Sequence, residues 1–420
     1  MSVLEIRNKM NNIQNSLLEF LEEESDAEDK YENFINLIRE EQLINDEYQI
    51  KSIIQLISDI GNNHQRNHTF ISKIEKLLRY LKQDLQNYIS NSDFFEYFKD
   101  NKRILLFLLE EKMMIFDENI FSRIISERLD NILNFKYFQP EIKPFLTKEI
   151  IEKYTNESVY LKYEKIIEEM RKEVEEDFYE KRRKGENDDN LCQLIRNNEI
   201  VEFIKFVEQS NTSLNIYIKT SKYETNQLLI DNEEISLIEY ASFYGSIDII
   251  KYMKVKQIKL RKSMWIYAIH SRNAELIHFL EENHVLPPKK DYDMILRESI
   301  KCHHNAISDY IINNLIKEED LQNSIENDFY NNFYRYAVEY HNYCFFPKDM
   351  KYKNMFLYLY RFKYYTLVKL YLTDGTIDID INTRVKTITI LNNIFKSKSF
   401  ITFKFNFFMK FENYFLLKFK

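Results

Sequence analysis

Apolar residues return every three or four positions along most of this chain, the spacing of helices that bury one face. INDEYQIKSIIQLISDIG holds that spacing from Ile44 and stops at Gly61. HTFISKIEKLLRYLKQDLQNYI repeats it from His68. NKRILLFLLEEKMMIFDENIFSRIISERL follows, and the pattern breaks near YFQPEIKPFL, where Pro140 and Pro144 suit a turn or a helix start. Residues 148–184 read as one long charged helix or two shorter ones, with a coiled-coil arm as an open alternative on an irregular apolar seam. GENDDN at 185–190 reads as a boundary. The pattern therefore predicts an all-α chain. A helical domain with a charged connector spans 1–184, a helical-repeat domain spans 185–394, and an atypical tail spans 395–420.

From Leu191 onward, short helix pairs recur. The first contains LCQLIRNNEIVEFIKFVEQ, the second ISLIEYASFYGSIDIIKYMKV, and the third SMWIYAIHSRNAELIHFLEENH. The fourth contains RESIKCHHNAISDYIINNLI, a weaker fifth FYRYAVEYHN, and a sixth falls in MFLYLYRFKYYTLVKLYLTDG. The second and third align without gaps, Ser236 with Ser263, Ala241 with Ala268, and Ile249-Ile250 with Leu276-Ile277, at a spacing of 27 residues. The next spacing is 31 and sets Ala268 against Ser299. Small Ala241 and Ala268 let two short helices approach. Gly245 turns the chain between them, either through a positive φ or because no Cβ fits. Arg272 takes that place in the third pair. Ile249, Ile250, Leu276 and Ile277 fill the space beneath, and stacking neighbours completes a core that one pair cannot close.

SLIEYASFYGSIDIIKYM resembles the ankyrin-repeat pattern T-P-L-H-x-A-A-x-x-G-x-x-x-I/V-V-x-x-L-L. Ser236, Ile238, Ala241, Gly245, Ile249, Ile250 and Met253 match; Leu237, Glu239 and Ser242 replace the proline, the histidine and the second alanine. The missing Thr-Pro start and His weaken the turn-capping network known for that family. The wider block 190–315, with NNHQRNHTFISKIEKLL before it, resembles the uncharacterised ankyrin-related family abundant in Trichomonas. The resemblance implies an ankyrin-like helical solenoid that recognises proteins through its loops and concave face, and it implies no reaction. It sets Tyr240 and Tyr267 near the concave surface as partner contacts. Trp265 is either a core residue or a partner-facing anchor.

Composition agrees with a helical protein. Hydrophobic residues make up 44% of 420 and aromatics 15%, with only four glycines and five prolines. The net charge of -8 gives no general pull toward nucleic acid. Cys192, Cys302 and Cys344 are too few and too scattered for a disulfide framework, and fit a reducing, cytoplasmic setting. The start MSVLEIRNKMNN lacks the apolar run of a secretory signal, and no run is long enough for a clear membrane span. EEESDAEDKYE and Glu233-Glu234 read as solvated faces, the first with a basic partner as the alternative.

No catalytic, cofactor-binding or metal-ligating set is read from the sequence. Gly245 has neither a Walker loop nor a dinucleotide fingerprint around it. Cys302-His303-His304 holds ligand types, but adjacent helical residues do not converge on one ion. Packing and turn hydrogen bonds are the expectation there, with Cys302 inward and one His exposed. His270, His278 and His284 accompany a repeat in the same way. The tail holds nine Phe and six Lys over 395–420. FITFKFNFF alternates as a β segment does, and a basic aromatic surface suits lipid. Packing on the array, membrane contact, and a tail read from shifted or unspliced coding sequence all stay open. The expected function is a non-enzymatic protein-binding scaffold with no small-molecule substrate; a peripheral membrane-associated adaptor using the tail is the alternative.

Overall fold

Helices form where the apolar spacing predicts them. Glu47–Asn63 shows the rule: Ile50, Ile53, Ile54, Ile57 and Ile60 lie on one face and are buried. The computed structural model describes residues 3–368, apart from 24–27, 46, 65, 128–135, 155–156, 233, 288–291, 317–326, 348–354, 363 and 365–366. The predicted tail, 395–420, lies outside the described residues. The fold is all-α. The only sheet among the described residues is a two-residue antiparallel pairing, Tyr217 opposite Ser236 and Ile218 opposite Ile235.

The front block begins with Val3–Glu22, Glu28–Glu40, Glu47–Asn63 and His68–Tyr80 and runs through Lys102–Glu110 to Phe178–Lys184. Side-chain caps start several of its helices, because the first backbone N–H groups of a helix have no internal partner. Asn67 accepts from Phe70 N at 3.0 Å and Asn101 from Ile104 N at 3.1 Å. The charged connector forms separate helices, Lys148–Tyr154, Glu157–Arg171 and Phe178–Lys184. The last ends on Gly185, at φ +67°.

Four helical pairs follow: Asn190–Arg196 with Ile200–Ser210, Leu237–Tyr244 with Ile247–Val255, Met264–Ser271 with Ala274–Glu282, and Tyr292–Lys301 with Asn305–Tyr310. A fifth element, Asn327–Glu339, ends in the short 3-10 turn Tyr343–Phe345. The first helices of successive pairs pack on one another in order, and Asn327–Glu339 continues the row. Ala241, Ile249, Ile250, Ala268, Leu276 and Ile277 are all buried in one continuous apolar core that joins the pairs.

The chain divides into two compact units, Met1–Tyr358 and Leu359–Lys420. The front block and the pairs share the first unit, with Glu47–Asn63 packed on Tyr292–Lys301 and Val3–Glu22 on Tyr343–Phe345.

Candidate functional site: the turn ladder, the histidine cluster and the open loops

Each of the four pairs turns on a residue with positive φ, Asn198 at +51°, Gly245 at +70°, Arg272 at +53° and His303 at +55°, and the fifth element ends the same way at His341, +53°. The carbonyl bonds left open at a helix end close the same way at these turns. Glu199 N reaches Leu194 O, Ser246 N reaches Ala241 O, His304 N reaches Ser299 O and Asn342 N reaches Ala337 O, all at 2.9–3.0 Å. In the third pair the Ser271 hydroxyl relays the bond, accepting from Asn273 N and donating to Ala268 O. Ala241, Ala268, Ser299 and Ala337 therefore hold equivalent buried places. The second helices end likewise, with positive φ at Asn211, Gln257 and His284.

The residue after each of these later turns ties its pair to the one before. Ser246 Oγ donates to Ile195 O at 2.5 Å, Asn273 Nδ2 to Gly245 O at 3.0 Å, His304 Nδ1 to Ile269 O at 3.0 Å and Asn342 Nδ2 to Ile300 O at 3.0 Å. Each such bond contributes about 1 kcal/mol net, but leaving its buried carbonyl unmet costs about 1–3 kcal/mol. The ladder also accounts for Gly245. Asn, Arg and His adopt the same φ at other turns, so φ alone does not demand glycine. A Cβ at 245 would meet Asn273 at 3.2–3.3 Å and Ser271 Cβ at 3.3 Å. Asn273 comes that close because it donates to the Gly245 carbonyl.

Glu239, standing where the resembling family has histidine, supplies a capping network of its own. Its carboxylate accepts from Ser236 N at 3.0 Å and from the Ser236 hydroxyl, and its other oxygen accepts from Ser263 Oγ at 2.5 Å. The two aligned serines are thus linked through one side chain.

The front block covers the turn side of the later pairs. His64 Nε2 donates to Cys302 O at 2.8 Å, Arg66 Nη2 to Ser271 O at 2.6 Å and Asn63 Nδ2 to Lys301 O at 3.2 Å. Asp59 pairs with His341 at 2.6 Å, Glu22 with Arg272 at 2.7 Å, and Gln14 Oε1 accepts from Tyr343 N at 2.7 Å. This cover corrects the expectation that one His of Cys302-His303-His304 is exposed: His303 and His304 are both buried. The His64 ring stacks on Phe70 at 4.3 Å and meets His304 edge-on at 5.1 Å. Burial lowers His64 to about 3 and His303 to about 4, and drives His304 well below its ordinary value. All three are neutral at pH 7.

Cys302 meets ligand-type neighbours from another pair, a convergence that adjacent spacing does not reveal. Its Sγ lies 3.7 Å from both His270 ring nitrogens, and His270 Nε2 lies 2.6 Å from Glu298 Oε1. These three residues form the one set among the described residues whose ligand atoms all lie within 4.8 Å of one another. They are already engaged. Lys301 Nζ sits 3.2 Å from the same Glu298 oxygen. Burial would raise Glu298, but the His270 bond and the His270 and Lys301 charges outweigh it and hold the carboxyl at about 2. Burial, with Glu298 beside it, pushes the Cys302 thiol well up. A cation here would have to displace the His270–Glu298 bond and take the proton of that thiol beside Lys301. The geometry fits a buried hydrogen-bonded contact that locks the third pair to the fourth.

Comparison with protein-family models, with curated proteins and with solved structures finds no match to this chain.

Tyr240, Trp265 and Tyr267 are all buried: Trp265 takes the core place, one of its two expected roles, whereas Tyr240 and Tyr267 do not present the surface expected of partner contacts. Arg196 Nη1 donates to the Tyr240 hydroxyl at 3.0 Å, and Trp265 Nε1 donates to Val285 O at 2.5 Å. Buried indole and phenol groups need such partners. A further contact between the blocks was not read from the sequence: Lys102 Nζ donates to Glu224 O at 3.0 Å, and burial lowers Lys102 to about 7. The loop that joins the second and third pairs, and the segment leaving the third, lie at the end of the pairs away from the turns. There Val255 is 73% exposed and Leu286 51%. No helix among the described residues is long and apolar enough to cross a membrane.

Proposed function

We propose that the chain is a non-enzymatic protein-interaction scaffold built on divergent ankyrin-like repeats, of the kind its sequence resembles. The observation that carries this reading is the repeated turn at Asn198, Gly245, Arg272, His303 and His341, with its ladder of bonds from pair to pair. A stack of this kind holds its connecting loops in fixed positions, which is what recognition from a rigid frame requires. The front block covers the turn side, so recognition belongs to the opposite, loop side. The buried His270–Glu298–Cys302 set is structural in this reading.

The test places a photo-activated cross-linking residue at Gln257 or Leu286 on the loop side, and at Leu161 or Tyr179 on the front block, in the full chain. After illumination in native extract, discrete protein adducts are expected from the loop positions. Absence of adducts from Gln257 and Leu286, in chains that melt as the parent does, would contradict the proposal.

A further inference from the structure

The segment 254–262, KVKQIKLRK, holds Lys254, Lys256, Lys259, Arg261 and Lys262 and no acidic residue. It is fixed at both ends. Gln257 takes φ +64° as Ile258 N closes the preceding helix on Met253 O at 3.0 Å, and Arg261 N lies 3.3 Å from Met264 Sδ. Ile258 and Leu260 pack against the repeat core, while Lys256, Lys259 and Lys262 are exposed. The alternation holds Lys259 and Lys262 outward on one anchored strip, and at its start the exposed Lys256 carries its ammonium 5.4 Å from the Tyr252 ring centroid. Lys254 is engaged by Asn283, and Arg261 lies 3.7 Å from Glu239 and over the Tyr217 ring. Among the described residues, Lys256, Lys259 and Lys262 have no carboxylate within ion-pair distance, although Lys251 on the same helix pairs with Glu275 at 2.6 Å.

We infer that this loop docks an acidic protein segment, a run of carboxylates or phosphorylated side chains laid along Lys256, Lys259 and Lys262. The inference rests on the scaffold reading and names the chemistry of its partner. Charge complementarity selects the class, because three cations held by an anchored backbone attract an anionic chain with little ordering cost on this side. Nucleic acid fits less well. Its affinity grows with the number of phosphates neutralised, and one short loop on a chain of net charge -8 neutralises few. A lipid surface fits less well, since Val255 is the one exposed apolar side chain of the loop and gives little to insert.

The test measures fluorescence anisotropy of a labelled ten-residue oligoglutamate against the full chain. Three proteins are compared: the parent, the loop variant Lys256→Glu, Lys259→Glu and Lys262→Glu, and a control with the same charge change, Lys148→Glu, Lys165→Glu and Lys172→Glu. The parent and the control are expected to bind, and the loop variant to bind about tenfold or more weakly, with binding that weakens as salt rises. No binding by the parent, or equal loss in both variants, overturns the inference. Tighter binding of phosphatidylserine vesicles or single-stranded RNA through the same three lysines also overturns it, by changing the occupant. Cross-linking at Leu286, outside the loop, keeps the two claims apart. Adducts there with no oligoglutamate binding remove this inference alone, whereas absent adducts at both Gln257 and Leu286 remove the scaffold reading.

Discussion

Acidification from pH 7 to pH 5 should cost the first unit about 4 kcal/mol through His64 and His303, which are buried neutral, and His304, lowered by the same burial, adds to the loss. A group whose folded pKa is depressed below its unfolded value gives full stability above the unfolded pKa and loses it as pH falls toward the folded pKa. For these residues the window opens near 6.5 and extends to about 4 for His303 and about 3 for His64. At pH 5 the unfolded chain has bound nearly one proton at each of His64 and His303, and the folded chain almost none there. Linkage sets the loss at about 2 kcal/mol for each of the two, and the figure barely changes while the folded pKa stays below pH 5. Together these two approach the lower end of a typical domain's stability, about 5–15 kcal/mol. Glu298, held at about 2, adds nothing in this range, since its window opens below 4.5. The assay is urea unfolding at several pH values, followed by the fluorescence of Trp265, the single tryptophan, which is buried in the third pair. His64→Gln keeps a donor for the Cys302 carbonyl and removes one titration, so its stability should fall about 2 kcal/mol less over the same range. A parent whose stability is flat from pH 7 to 5, or a variant with an unchanged slope, would refute the reasoning.

Other outcomes follow from single contacts. Gly245→Ala puts a Cβ against Asn273 at a left-handed turn and should destabilise the unit by about 1–2 kcal/mol in urea melts. Asn342→Ala removes the donor to the buried Ile300 carbonyl and should cost about 1–3 kcal/mol by the same assay. Glu298→Gln weakens the buried pair with His270 and should cost a similar amount at pH 7, less at pH 3. A thiol reagent should label Cys344 first in the native chain, since Cys192 and Cys302 are buried and burial pushes Cys192 to about 12.

The helices were legible because burial on one face leaves a spacing that survives in the sequence, as in Glu47–Asn63. The gapless match of Ser236 with Ser263 and of Ala241 with Ala268 exposed the pairs for the same reason. The turns at Asn198, Arg272, His303 and His341 were harder to see. Their positive φ is set by the carbonyl bonds that close the helix, and no glycine marks them. Tyr240 and Tyr267 were misplaced for a different cause. Tyr240 reads as exposed from its own repeat, but Arg196 in the preceding pair holds its hydroxyl. The histidine cluster depends on partners far off in the chain, His64 on Cys302 and Asp59 on His341. No local pattern carries such pairings.

The central claim is that this stack of tied pairs recognises proteins through its loop side. The most direct measurement is photo-cross-linking of the full chain from Gln257 and Leu286 in native extract, with Leu161 and Tyr179 as controls. Discrete protein adducts are expected from the two loop positions and none of the same mass from the controls. Equal labelling from all four positions, or none from the loop side in a chain that melts normally, would contradict it.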